Sequence, residues 1–336
     1  MPDPMLLAAI IAGAGLVACL GTRALIPLLR DAAVLDRPNE RSLHAAPTPR
    51  GGGVAVVGAT LIAWLALLIA GPVAPQLLAV LCGAALLAAI SWRDDRHGLS
   101  PAPRLLAQLV AVGLGMMVVA PAGSVFQGWL TPGLDGVAAA LLWLWFVNLF
   151  NFMDGIDGLA GSEAASIAIG LVLFASIGAG ADPGLVALAA TAEVAALGFL
   201  VWNWAPARIF LGDVGSVPLG YLLGFLLLDV AARGGWKIAL ILPLYFLADA
   251  TLTLLRRLVR GEAVWQAHRE HFYQRAVQRG LGHATVVRRV IAANLLLIGC
   301  GWAAENGWGI AALVGAAVMV AALLASLANG WRRPPA

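Results

Sequence analysis

Apolar runs of about 17–25 residues, each long enough to cross a hydrocarbon layer about 30 Å thick, fill most of this chain and alternate with short polar segments. The pattern predicts helices near 5–26, 51–70, 75–92, 104–121, 137–153, 162–180, 184–202, 214–231, 236–255, 285–304 and 308–330. An odd number of spans, eleven, places the two termini on opposite sides of the membrane. The polar segments differ sharply by side. Segments 23–50, 93–104, 203–213, 256–289 and 331–336 hold 19 of the 21 basic residues, whereas the other side carries only Arg233 and Lys237. Short loops rich in Lys and Arg stay in the cytoplasm, so the N-terminus is expected outside and the C-terminus in the cytoplasm. The expectation is one polytopic all-α domain over 1–336, with about eleven transmembrane helices and its chemistry on the cytoplasmic face.

Composition agrees. The chain is 61% hydrophobic and 12% charged, against roughly 25% charged in soluble domains. Cys19, Cys82 and Cys300 all fall inside apolar runs, where three buried free thiols are expected instead of disulfides or a zinc site. The N-terminus has no basic leader with a small-residue cleavage site, so its first run is expected to be retained as a span. Nothing in the charge pattern calls for a nucleic-acid partner. Ionisable residues inside spans are functional candidates, and Asp249 stands out because its helix feeds the long basic loop 256–289.

The segment NLFNFMDGIDGLAG at 148–161 concentrates polar chemistry at the end of an apolar run. Asn148, Asn151, Asp154 and Asp157 recur every three residues, so four polar groups are expected to converge at one membrane face. A helix C-terminus carries negative partial charge and disfavours carboxylates, which makes a cation the natural partner.

Other basic-side loops add to this. PTPRGGG at 47–53 follows Arg37, Arg41 and His44 and joins Arg50 to glycines that open a helix, an arrangement that lets backbone N–H groups approach an anion. Asp94 and Asp95 end a span between Arg93, Arg96 and Arg104. Asp213 begins a helix in FLGDVGS, where it serves equally as an N-cap or as a metal ligand. His268 and His271 flank Arg269 in HREHFYQR. Acids, arginines and oxygen donors on one face suit a phosphorylated substrate with a hard divalent cation such as Mg²⁺ or Mn²⁺.

These five motifs, in order and on one side, resemble the polyprenyl-phosphate N-acetylhexosamine-1-phosphate transferases of glycosyltransferase family 4. That family includes phospho-N-acetylmuramoyl-pentapeptide transferase and the enzymes that initiate O-antigen and other envelope glycans. The spelling HREHFYQR favours the O-antigen branch over the muramoyl-pentapeptide branch, whose last motif has consecutive histidines. The resemblance implies a bacterial inner-membrane enzyme in which undecaprenyl phosphate attacks the β-phosphorus of a UDP-sugar, giving lipid-diphosphate-sugar and UMP, and it suggests a homodimer. By the same resemblance Asn151 and Asp213 are the Mg²⁺ ligands, with Asp154 close to the ion. Asp157 hydrogen-bonds the uracil and Phe210 stacks on it. Arg104 supplies a cation, and Arg50, His268, Arg269 and His271 line the diphosphate. Asp94, Asp95, Asp154, His268 and His271 are the catalytic candidates.

Phosphoryl transfer is catalysed mainly by positioning and by charge stabilisation. A phosphate monoester with a second pKa of about 6 is already largely a dianion at pH 7, so Asp94 and Asp95 are weighted towards orienting an arginine or the lipid phosphate, with proton abstraction the lesser role. A secondary transporter would instead place charged groups near the midplane. The crowding of every motif on one face favours an enzyme.

Overall fold

The computed structural model describes residues 3–38, 43–44, 46–176, 182–263, 266 and 268–329; Arg41, the segment 331–336 and the expected cytoplasmic C-terminus lie outside the described residues. The helices, in chain order, are α1 (Pro4–Asp31), α2 (Gly53–Ala70), α3 (Leu77–His97), α4 (Pro101–Val119), α5 (Pro132–Phe152), α6 (Leu159–Ser176), α7 (Pro183–Asn203), α8 (Asp213–Val230), α9 (Trp236–Ile241), α10 (Leu244–Val259), α11 (Phe272–Gln278), α12 (His283–Ala303) and α13 (Gly309–Ala328). Among the described residues the strands are β1 (Leu35–Asp36) and β2 (Thr48–Pro49), paired antiparallel with Leu35 opposite Pro49.

Among the described residues, nine helical runs are long and apolar enough to cross a membrane. Large apolar side chains such as Ile62, Ile69, Leu141 and Val318 point outward from the bundle, as expected where lipid replaces water as the surrounding solvent. The protein is an all-α, multi-pass membrane protein.

Helices coincide with all the predicted spans, with one difference in continuity. The span expected over 236–255 is two pieces, α9 and α10, which meet at Pro243. Proline lacks an N–H and its ring blocks the preceding turn. Two other runs turn at glycines: Gly234 (φ +100) lies between α8 and α9, and Gly307 (φ +94) between α12 and α13. The cysteines are free, as expected, but none is buried: Cys82 is exposed on the bundle's outer surface and Cys19 and Cys300 are partly covered.

Helix α8 is the axis of the bundle. Every residue from Val214 to Val230 is buried; a helix apolar on all sides suits either lipid or a protein core, and here neighbouring helices cover it on every side. Trp143 of α5 stacks on Tyr221 of α8 at 4.8 Å and donates its indole N–H to the Tyr221 carbonyl at 3.0 Å. Small residues make room for this pair. A Cβ on Gly115 would lie 2.2 Å from the Trp143 ring. Because α8 is central, its N-terminus, with Asp213, opens in the middle of one end of the bundle.

Candidate active site

The glycines after Arg50 act differently from their sequence expectation. The N–H groups of Gly51 and Gly52 donate to the Phe210 carbonyl at 3.1 and 2.9 Å, and Gly53 donates to Leu211 at 2.9 Å. These donors are therefore spent on the chain itself, leaving none to meet an anion. Their structural role is close approach: a Cβ on Gly53 would sit 2.1 Å from the Cα of Gly215, so α2 can begin against α8 only with glycine there. This contact carries Arg50 over the α8 N-terminus, where it also bridges to Phe210.

Arg50 then holds two carboxylates. Its Nη2 lies 2.8 Å from Asp95 Oδ1 and 2.6 Å from Asp213 Oδ1. Asp95, whose side chain is fully buried, accepts the N–H groups of Asp213 and Val214 at 3.2 and 2.9 Å. A carboxylate suits a helix N-terminus, where free N–H groups and the dipole favour negative charge. Asp94 is engaged too: Leu99 N–H donates to it at 2.5 Å and Arg104 Nη1 at 2.7 Å. Asp94 and Asp95 thus hold arginines and the α3–α4 turn, and neither lines the cavity below. Arg104 reaches towards the same centre, 3.8 Å from Asp213 Oδ2.

A cavity of about 340 Å³ opens beside this cluster, lined by Arg50, Asn151, Asp154, Asp157, Phe210 and Asp213 among others. Six of the sequence-predicted site residues therefore come together. Asn148 does not join them. It pairs its amide with Gln108 of α4 at 2.9 Å, and so ties α5 to α4. Asn151 accepts the Ser216 hydroxyl at 2.6 Å. Asp157 accepts Ala207 N–H at 3.0 Å and lies 3.3 Å from His283 Nδ1. Burial would raise its carboxyl, but the His283 hydrogen bond and the Ala207 N–H hold it below the usual range.

Asp154 is pushed the other way, up to about 7, by burial and by the nearby Asp213 and Asp95, against the pull of Arg50. Four acidic side chains, Asp94, Asp95, Asp154 and Asp213, share two guanidinium groups, Arg50 and Arg104, which leaves the acids in excess. Asn151, Asp154 and Asp213 all line this cavity and carry oxygen donors, which fits a hard divalent cation that takes part of its shell from water or phosphate. Among the described residues no cluster of three His, Cys, Asp or Glu side chains could hold a metal unaided, so the fit is to an incomplete protein shell.

The last motif departs from its expected position. His268, Arg269 and His271 do not line the cavity. His271 is buried, with Nδ1 3.2 Å from Asp249 Oδ1, and its ring lies 4.8 Å from that of His268. Burial lowers His268 to about 4, with His271 and Arg257 adding to the effect. Arg269 is exposed. The cavity instead receives Gln274 and His283 from this region, and Asp36, His44 and Asn203 from elsewhere. The His283–Asp157 pair is a tertiary meeting of residues 126 positions apart (283 − 157), and no spacing rule signals it. Glu163, buried in α6 and bonded by Asn294 at 2.7 Å, lies at the start of the span expected over 162–180, and no local pattern signals its Asn294 partner 131 positions away.

Comparison with known proteins sharpens this. Residues 77–231 match the model of glycosyl transferase family 4. The chain is 31% identical over 298 residues to a decaprenyl-phosphate N-acetylglucosaminephosphotransferase of Mycobacterium tuberculosis, covering 78% of this chain and 72% of the relative. It is 28% identical over 285 residues to a probable undecaprenyl-phosphate N-acetylglucosaminyl 1-phosphate transferase of Bacillus subtilis, covering 80% and 77%. It is also 32% identical over 237 residues to a phospho-N-acetylmuramoyl-pentapeptide-transferase of Synechococcus, covering 64% and 67%. With the motif residues gathered at one end of the bundle and a relative of this identity matched over most of both chains, the chain belongs to glycosyl transferase family 4.

Proposed function

We propose that the protein transfers an N-acetylhexosamine-1-phosphate from a UDP-sugar to undecaprenyl phosphate, on the cytoplasmic face of a bacterial inner membrane, and so initiates an O-antigen or related envelope glycan. A lipid-phosphate oxygen attacks the β-phosphorus. The bond from that phosphorus to the bridging oxygen breaks, and UMP leaves with the oxygen. The observation that carries this reading is the convergence of Arg50, Asn151, Asp154, Asp157, Phe210 and Asp213 on one cavity at the basic end of the bundle.

Arg50 and Arg104 supply positive charge where two anions must approach each other. Asp95 fixes Arg50 from behind at 2.8 Å, and Asp94 fixes Arg104 at 2.7 Å, so both guanidinium groups are positioned before substrate arrives. Asp157 and Phe210 offer a hydrogen-bond acceptor and an aromatic face to the nucleobase. Asn151 and Asp213 would hold Mg²⁺, or Mn²⁺ in its place, with Asp154 close by, and the ion would neutralise charge on the diphosphate. A dianionic lipid phosphate needs no base, which suits carboxylates already committed to arginines.

Purified protein given undecaprenyl phosphate and a panel of UDP-sugars should release UMP with at least one N-acetylhexosamine donor, and EDTA should stop it. Release of UDP in place of UMP, or no turnover of any UDP-sugar by folded protein, would overturn the proposal.

A further inference from the structure

Asp249 is fully buried on α10, and among the described residues the only basic side chain within 4 Å of its carboxyl is His271. It collects hydrogen bonds from one short stretch of chain: His271 Nδ1 at 3.2 Å, Phe272 N–H at 3.0 Å and Tyr273 N–H at 3.3 Å. Tyr245 and Thr253 add their hydroxyls at 3.3 and 3.4 Å. The carboxylate thus takes the free N–H groups that begin α11, while Gln274 closes the turn by accepting the His271 N–H at 3.2 Å. An unpaired buried charge would cost several kcal/mol, which these donors offset. Asp249 therefore sets where α11 begins.

What α11 carries from there is Tyr273. Its ring is fully buried, so it touches no substrate, and its hydroxyl donates to the Phe152 carbonyl at 3.0 Å. A Cβ on Gly155 would come 2.2 Å from the same oxygen. Phe152 and Gly155 enclose the turn that follows Asn151 and presents Asp154 to the cavity. We propose that Asp249 and Tyr273 are positioning residues: the carboxylate anchors α11, and the Tyr273 hydroxyl pins the 152–155 turn so that Asn151 and Asp154 face the cavity in one geometry. His271 belongs to this device and is not a diphosphate contact. The inference rests on the transferase reading for its kinetic arm only.

The test uses the full-length protein in detergent with Tyr273→Phe, which removes one hydroxyl and keeps the ring. Turnover of the UDP-sugar should fall about 10- to 100-fold, the cost of a small misplacement of reacting groups, with KM for the UDP-sugar within about twofold, as expected when ground-state binding is kept. Hydrogen–deuterium exchange of peptides covering 149–158 should rise at the same time. Tyr221→Phe is the control. Its hydroxyl is equally buried and bonds Ala111 at 2.9 Å, and its loss should lower melting temperature without changing turnover or exchange at 149–158. Unchanged exchange at 149–158 in Tyr273→Phe, whatever its activity, overturns the proposal. If Tyr273→Phe does not fold, Asp249→Asn is read by the same two measurements and the same criterion. If the wild type releases no UMP, the transferase reading fails alone, and exchange still decides this one.

Discussion

Arg50 shows how one side chain ties the site together. Its guanidinium, 35% exposed, stands between the fully buried Asp95 and the partly open Asp213; removing one partner of a fully buried ion pair costs about 3–5 kcal/mol, and solvent screening at a part-exposed guanidinium cuts that to about 1–2 kcal/mol. Arg50→Met should therefore lose about that much stability by melting or denaturant titration in micelles, together with nearly all activity. Adding Asp95→Asn should restore part of the stability and none of the activity. Stability unchanged in the single variant would mean that water replaces the guanidinium and that the pair is only incidental. At this scale the sequence was readable where chemistry and spacing coincide: Asn151, Asp154, Asp157, Phe210 and Asp213 share one cavity. It misled where a motif residue was committed to another protein group. Asn148 faces Gln108 and His271 faces Asp249, and no local pattern states which partner a polar side chain will meet; Asp94, by contrast, orients an arginine, Arg104, as expected.

Among elements, hydropathy located every span because lipid imposes one length and one polarity on all of them. It could not place the break between α9 and α10, since the residues around Pro243 are as apolar as the rest. Nor could it show that the glycines of PTPRGGG serve packing. That reading is testable through Gly53, where a Cβ would fall 2.1 Å from the Gly215 backbone. Backbone cannot move aside as a flexible side chain can, so Gly53→Ala must push α2 away from α8. The variant should melt several degrees lower than the parent, consistent with about 1–3 kcal/mol for overpacking a tight contact. Gly58→Ala on the same helix meets nothing within 4 Å and should melt like the parent. Equal melting of the two would refute the close-approach account.

For the whole molecule, the proposed reaction depends on which way the bundle sits in the membrane. Arg50, Asp95, Asp157, Phe210, Asp213 and His283 meet at one end, whereas Asp182, Asp229 and Arg233 pair at the other. The end with the site is also the end with the arginine-rich loops, so the proposed orientation, with that end in the cytoplasm where UDP-sugars are made, follows the positive-inside rule. Helix α3 runs between the two ends and offers a direct measurement. Gln76, just before it, and Ser100, just after it, are both exposed, and neither side chain caps a helix. With Cys19, Cys82 and Cys300 replaced by alanine, a membrane-impermeant maleimide should label Gln76→Cys from outside intact cells. The same reagent should label Ser100→Cys only in inside-out vesicles. The reverse pattern would put Arg50 and its carboxylates outside, away from any nucleotide donor, and the proposed transferase reaction would then be impossible in this orientation.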